Sequence, residues 1–389
     1  MMRTQLRWLA GILAGTVLGA CAPGQPAPVQ RPPSGFLAVM DSAAPALLAE
    51  HAVPGIAVGV VEDGRVAFTR AYGVEDRASN RPLTTGTLFN FASLSKPVTA
   101  WGALHLADRG ALPLDVPVNR LLRGWQLPAS EFGTDGVTVR RLLSHTAGTS
   151  LPSVHFFPAD TTLPTRLQVM RGEAGGRVPV VVRFAPGTRW AYSGGGYLIL
   201  EMLIEEASGR PFADYMADAV FRPLGMTHTT FAPAAVAGEG IATPHDEEGK
   251  PVAPYRMVGA APGGLYSSVD DFVHLVAAYA RSGAGILADS TFEAMLTPVA
   301  EVDFRDVFDG VEVAGARYGM GHGVHRTAAG ERIVYHSGGN PGYLAYFLAM
   351  PEHGRGMVLV MNGSSGVPAF IRLIQLWSEH YGVDLQPIF

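Results

Sequence analysis

The chain has 389 residues, 48% hydrophobic and 16% charged, with a formal net charge of -5 and a pI near 6.2. That much apolar length supports one large core or two lobes sharing a cleft, and it excludes a disordered protein. Mild acidity without a Lys/Arg-rich run leaves no electrostatic footprint for nucleic acid.

At the N-terminus, Arg3 and Arg7 precede an apolar run from Trp8 to Leu18. The run is too short to span a bilayer and has the layout of a secretory signal, residues 1–20. It closes on Leu18-Gly19-Ala20-Cys21, which resembles the lipobox of bacterial lipoproteins, and Cys21 is the only cysteine. Lipidation of Cys21 is expected. The alternative is ordinary cleavage after Ala20, but the large Leu18 fits that small-residue pattern poorly. Residues 21–35, with Pro23, Pro26, Pro28, Pro32 and Pro33, read as a stiff tether. The expected product is an exported protein held at a bacterial membrane by a lipid anchor only, facing the periplasm or the exterior.

Residues 36–389 read as one domain. Phe36 to His51 is a predicted helix, and Gly55 to Val61 with Val66 to Tyr72 is a predicted hairpin turned at Asp63-Gly64. The next informative stretch is FASLSKPVTA, residues 91–100. The chain has two lysines, Lys96 and Lys250, among 29 basic residues, so a lysine at position 96 calls for a chemical reason. Ser93 and Lys96, three apart, share a face if a helix begins there, and Pro97 fits a first turn because its missing N–H had no partner to lose. Val98, Trp101 and His105 continue an inward face.

A serine hydroxyl is a poor nucleophile without a neighbouring base, and lysine serves as one only where desolvation or a nearby cation lowers its pKa. At a helix start, free N–H groups and the dipole favour negative charge on a substrate oxygen. The pattern suits acyl transfer, although an N-cap serine beside a solvated lysine would give the same spacing.

Further along, Tyr192 precedes three glycines and a helix striped by Tyr197, Leu200 and Ile204, which places a phenol at a turn. Ile333 to His336, Tyr343 to Met350 and Met357 to Asn362 read as strands, and a final helix carries Phe370, Leu373, Ile374, Trp377 and Tyr381 on one face. Strands at both ends with helices between them predict an α+β fold: one antiparallel sheet built from the two termini, plus a mostly helical lobe, with a cleft between them.

Ser93-Leu94-Ser95-Lys96 resembles the first motif of the serine β-lactamase and penicillin-binding protein superfamily. Tyr192-Ser193-Gly194 resembles the second motif of its class C branch and of the family VIII carboxylesterases, and His336-Ser337-Gly338 stands in the place of the third, Lys-Thr-Gly. RLLSHTAG at 141–148, APGTRWAYSGGGYLILEMLIEEASG at 185–209, PLGM at 223–226, PGGLYSSVDDF at 262–272 and HSGGNPGYLAYFLAMPE at 336–352 extend the likeness from about Gly55 to Asn362. The resemblance implies a β-lactamase-like fold and a Ser93 nucleophile, with Lys96 and Tyr192 as bases. A Lys96 ammonium would favour the Tyr192 phenolate. The backbone N–H groups of Ser93 and Gly339 would form the oxyanion hole, and the His336, Ser337 and Gly338 strand would contact substrate.

Two departures bear on substrate. Lactam-hydrolysing relatives carry Asn where Gly194 stands and Lys where His336 stands, so contacts to a drug's amide and carboxylate are weakened. The expected reaction is therefore hydrolysis of a small ester, with weak or no β-lactamase activity. The alternatives are a D-aminopeptidase, D,D-peptidase or β-lactamase acting on peptidoglycan fragments or β-lactams, and a noncatalytic penicillin-binding sensor. No cofactor and no metal are expected: His322 and His325 lack a third ligand at metal-like spacing. Ser144-His145 fits a structural turn better than a catalytic pair, and no Gly-x-Ser-x-Gly elbow occurs. Phe156, Phe157, Tyr255 and Tyr266 could line an acyl or alcohol pocket, but aromatic residues between helices are more often core, and they are left out of the site.

Overall fold

The computed structural model describes residues 35–174, 176, 178–232, 240–302 and 316–385. The expected signal peptide, Cys21 and the tether up to residue 34 lie outside them. Among the described residues, no helix is long and apolar enough to cross a membrane.

Nine strands among the described residues form one antiparallel sheet. Their order is Arg81–Pro82, Arg65–Asp76, Gly55–Glu62, Arg355–Met361, Tyr343–Met350, Arg332–Asn340, Gly323–Arg326, Arg317–Tyr318 and Ala300–Glu301. The two chain ends meet at its centre, where Val58 stands opposite Leu359. Gly55–Glu62 is buried on both faces, which is why it reads as a continuous apolar run rather than an alternating one.

One face of the sheet carries the helices Gly35–Glu50 and Val367–Tyr381. Phe36 and Met40 from the first, and Leu373, Ile374 and Trp377 from the second, pack with Ile56, Val58 and Leu359. Burying each such side chain contributes about 1.5–3 kcal/mol, so this layer is a large part of what holds the sheet. The other face takes the helix Val269–Tyr279, whose N-cap Ser268 accepts the Asp271 N–H at 3.2 Å. Beyond it lies the helical lobe, with Ser95–Asp108 and Gly194–Ser208 at its centre.

Ser95–Asp108 is buried almost all round, so the inward face expected from Val98, Trp101 and His105 is wider than a stripe. His105 itself is half-buried, with Nδ1 2.8 Å from the Tyr215 hydroxyl.

The strand expected at Ile333 to His336 runs on to Asn340, which pairs with Tyr343 across a turn at Pro341-Gly342. Glycines at 338 and 339 mask the strand in the sequence because they lack β propensity. Along the Arg332–Asn340 strand, Gly323–Arg326 pairs only with Arg332 to Tyr335. Among the described strands, residues 336–340 therefore have a neighbour on one side only, and their free edge faces the cleft.

Candidate active site

Ser93 stands in the tight turn Ala92–Leu94 ahead of the Ser95–Asp108 helix. Ala92 has φ +49°, a left-handed conformation that costs a residue with a Cβ on the order of 1–3 kcal/mol. Two bonds hold it: Asn90 Oδ1 accepts the Ala92 N–H at 2.9 Å, and Ser95 Oγ donates to the Ala92 carbonyl at 2.6 Å. The edge strand packs directly on this turn. A Cβ on Gly338 would lie 2.6 Å from the Phe91 carbonyl and 3.1 Å from the Ser93 nitrogen, so only glycine lets the strand come this close.

Lys96 is buried in the first helical turn, with Nζ 3.2 Å from Ser93 Oγ, donating to the Pro262 carbonyl at 2.5 Å, and 4.5 Å from the centre of the Tyr192 ring. Burial pulls its pKa down to about 7, because a charged ammonium here has given up its water. Tyr192 is placed by the next residue: Ser193 caps the Gly194–Ser208 helix by accepting the Gly196 N–H at 2.9 Å. Gly195 packs on the Ser150 carbonyl, which a Cβ would approach to 2.6 Å.

Burial pushes the Tyr192 phenol up from its ordinary value, opposed by a hydrogen bond with Ser93. The phenolate expected from a Lys96 ammonium is thus corrected. The low-dielectric site disfavours both charges at once: it lowers the pKa of the amine and raises that of the phenol, which favours a protonated Tyr192.

His336 also differs from expectation. It lies inside a strand rather than at its end, and its buried ring uses both nitrogens. Nδ1 donates to the Ser337 carbonyl at 2.6 Å, which leaves Nε2 to accept the Tyr318 hydroxyl at 3.0 Å. Burial pulls its pKa down to about 3, with Lys96 adding to the effect, so it is a neutral wall of the site and carries no charge to offer an anion. Ser337 and Gly339 are exposed on the same strand, and no atom lies within 4 Å of where a Gly339 Cβ would sit.

Ser144-His145 is not a catalytic pair. Ser144 Oγ donates to the Arg140 carbonyl at 2.9 Å, while His145 Nδ1 accepts the Ser193 N–H at 3.1 Å and the imidazole lies 4.4 Å from the Tyr192 ring. His145 supports the Tyr192 turn.

Ser93, Lys96, Tyr192, Gly194 and residues 336–339 line one cavity of about 650 Å³. Sequence reasoning missed Trp190, Tyr318 and Asn340 in its wall and left Phe156, which also lines it, out of the site. Asn340 Nδ2 donates to Asn90 Oδ1 at 2.6 Å, tying the free edge to the Ser93 turn. Among the described residues, the wall contains no Asp, Glu or Arg, and no group of three potential metal ligands occurs anywhere.

The family model described as Beta-lactamase matches residues 40–380. The chain belongs to the beta-lactamase family. With the family comes the class, a serine hydrolase. The chain is 28% identical over 327 residues to penicillin-binding protein 4* of Bacillus subtilis, covering 77% of this chain and 66% of that one. It is 30% identical over 324 residues to the esterase EstB of Burkholderia gladioli, covering 73% and 77%. Among solved structures, the octameric penicillin-binding protein homologue from Pyrococcus abyssi superposes with a TM-score of 0.73 at 26% identity, over 90% of this chain and 78% of that one.

Proposed function

We propose that this chain is a carboxylesterase that hydrolyses small, uncharged esters through an acyl-enzyme on Ser93. The observation that carries the reading is an amine of pKa about 7, 3.2 Å from a serine hydroxyl, in a cavity whose described wall has no other charged side chain. The neutral Lys96 amine takes the Ser93 proton as Oγ bonds to the ester carbonyl carbon. The carbonyl oxygen takes the electron pair and faces the N–H groups of Ser93 and Gly339. Collapse breaks the bond to the alkoxy oxygen, and the departing alcohol takes a proton from the Tyr192 hydroxyl, which Lys96 then restores. Water repeats the sequence on the acyl-enzyme and releases the acid.

D-alanyl peptides and β-lactams carry a carboxylate close to the scissile bond, and burying it without a cation is costly. Neutral His336 and the apolar wall therefore favour a plain ester and weak or no β-lactamase activity, consistent with the similarity to an esterase. The similarity to a penicillin-binding protein favours a D-amino-acid peptidase or a noncatalytic sensor instead.

A panel of p-nitrophenyl esters, nitrocefin and D-alanyl amides decides between them. The expected result is ester turnover that falls by about 10³-fold or more in Ser93→Ala, with little lactam or amide cleavage. Turnover of D-alanyl amides above esters would replace the reading, and a wild type that a fluorophosphonate fails to label would make the chain a binder. Export and lipidation at Cys21 belong to the same proposal. Metabolic labelling with palmitate is expected in the full chain and lost in Cys21→Ser, and an unlabelled wild type would refute it.

A further inference from the structure

A carboxylate outside the cavity is built into the position of the base. Glu201 lies two turns into the Gly194–Ser208 helix and is 94% buried, where an unpaired charge would not survive. Its oxygens are divided between two tasks. Oε1 accepts from Arg166 Nη1 at 2.6 Å, while Oε2 accepts the backbone N–H groups of both Ala260 and Ala261, at 2.6 and 2.9 Å. Arg166 also bonds Glu205, one helical turn further on.

The segment that Glu201 grips runs straight into the site. The Ala261 carbonyl accepts Thr99 Oγ1 at 3.3 Å, and the Pro262 carbonyl accepts Lys96 Nζ at 2.5 Å. The Gly263 carbonyl accepts Asn340 Nδ2 from the free strand edge at 3.2 Å. Gly259, just before the segment, has φ +83°, and a Cβ there would lie 2.0 Å from Leu198. The loop is thus pressed onto the very helix that carries Glu201. The Pro262 carbonyl, which directly follows the two amides held by Glu201, points at the lysine amine.

We infer that Glu201 is a positioning residue for the base: acting through the backbone of Ala260 to Pro262, it holds Lys96 Nζ within hydrogen-bond reach of Ser93. This rests on the reading of Lys96 as the base. It adds that the helix following Tyr192 sets both partners of Ser93, the phenol by its N-cap and the amine by a carboxylate eight residues further along.

The test separates the grip on the loop from the ion pair. Glu201→Gln can keep its carbonyl oxygen on the two amides while losing the charge toward Arg166. Glu201→Met fills similar volume and accepts nothing. Glu205→Gln weakens the Arg166 network and leaves the loop untouched.

Ester kinetics and the rate of fluorophosphonate labelling at Ser93 are measured for each, with melting temperatures alongside. The methionine variant is expected to lose about 30-fold or more in kcat and in labelling rate, with KM within about threefold, because base geometry and not the cavity wall has changed. Glu201→Gln is expected to retain most of both rates, and Glu205→Gln to match the wild type. Glu201→Ala removes the same acceptor and serves if the methionine variant does not fold.

Wild-type labelling rates in Glu201→Met or Glu201→Ala would overturn the inference. So would an equal loss in Glu205→Gln, which would mark the network as structural support only. A wild type that the probe does not label would instead sink the hydrolase reading beneath it.

Discussion

Lys96 shows how one side chain's surroundings become chemistry. An ammonium at the ordinary lysine value would be no base at neutral pH, whereas burial brings this one to about 7. His336 is held down at about 3, and burial raises Tyr192, so among these three site groups Lys96 is the one expected to titrate between pH 5 and 9. The expected kcat/KM for a neutral ester rises tenfold per pH unit below about 7 and levels off above it; a profile flat from pH 5 to 8 would remove Lys96 from the base role.

The same shift makes a stability prediction. Between about pH 7 and the ordinary lysine value, the unfolded chain binds more protons at this site than the folded one, so stability rises with pH across that window. Lys96→Met, close in shape and uncharged, is expected to be inactive yet more stable than the wild type at pH 6, by roughly 2–4 kcal/mol, with the gain shrinking by pH 10. Denaturant melts at the two pH values measure it.

Among the elements, the edge strand Arg332–Asn340 bears most on the site. Its first half is paired on both sides and buried, and its second half is paired on one side only and rich in glycine, so one strand serves as core and as cleft wall. Gly338 is the hinge between those uses, since its missing side chain is what allows contact with the Ser93 turn. Gly338→Ala must push strand and turn apart by a few tenths of an ångström or more. It is expected to cost about 100-fold in kcat, by displacing the groups around the carbonyl oxygen, with a smaller change in KM. An alanine variant with wild-type kcat would mean that the two elements yield without consequence.

For the whole molecule, the question is what a cavity of about 650 Å³ with no described Asp, Glu or Arg in its wall admits. The cavity is walled on one side by Tyr335 and Tyr346 of the sheet and Phe370 of the last helix, which also belong to the outer core layer, and on the other by groups of the helical lobe such as Trp190 and Tyr192. Between matched substrates, one a full ester and the other bearing a free carboxylate near the scissile bond, the neutral one is expected to have the higher kcat/KM by about 100-fold. Equal values would show that a cation reaches the bound substrate.

Much of this was readable in the sequence because the relevant signals are local. A rare lysine three residues after a serine, a proline in the first turn, and Tyr192 before three glycines each depend on their neighbours alone, and the sheet made from both termini follows from apolar runs at the two ends. Tertiary structure alone decided what depends on residues far apart in the chain. Tyr318 occupies both His336 nitrogens' remaining freedom together with Ser337, Asn340 reaches back to Asn90, and Glu201 grips a loop sixty residues on. The charge states were decided the same way: a sequence shows that a lysine and a tyrosine are near a serine, but desolvation depends on every group packed around them, and that packing is what left the amine near neutrality and the phenol protonated.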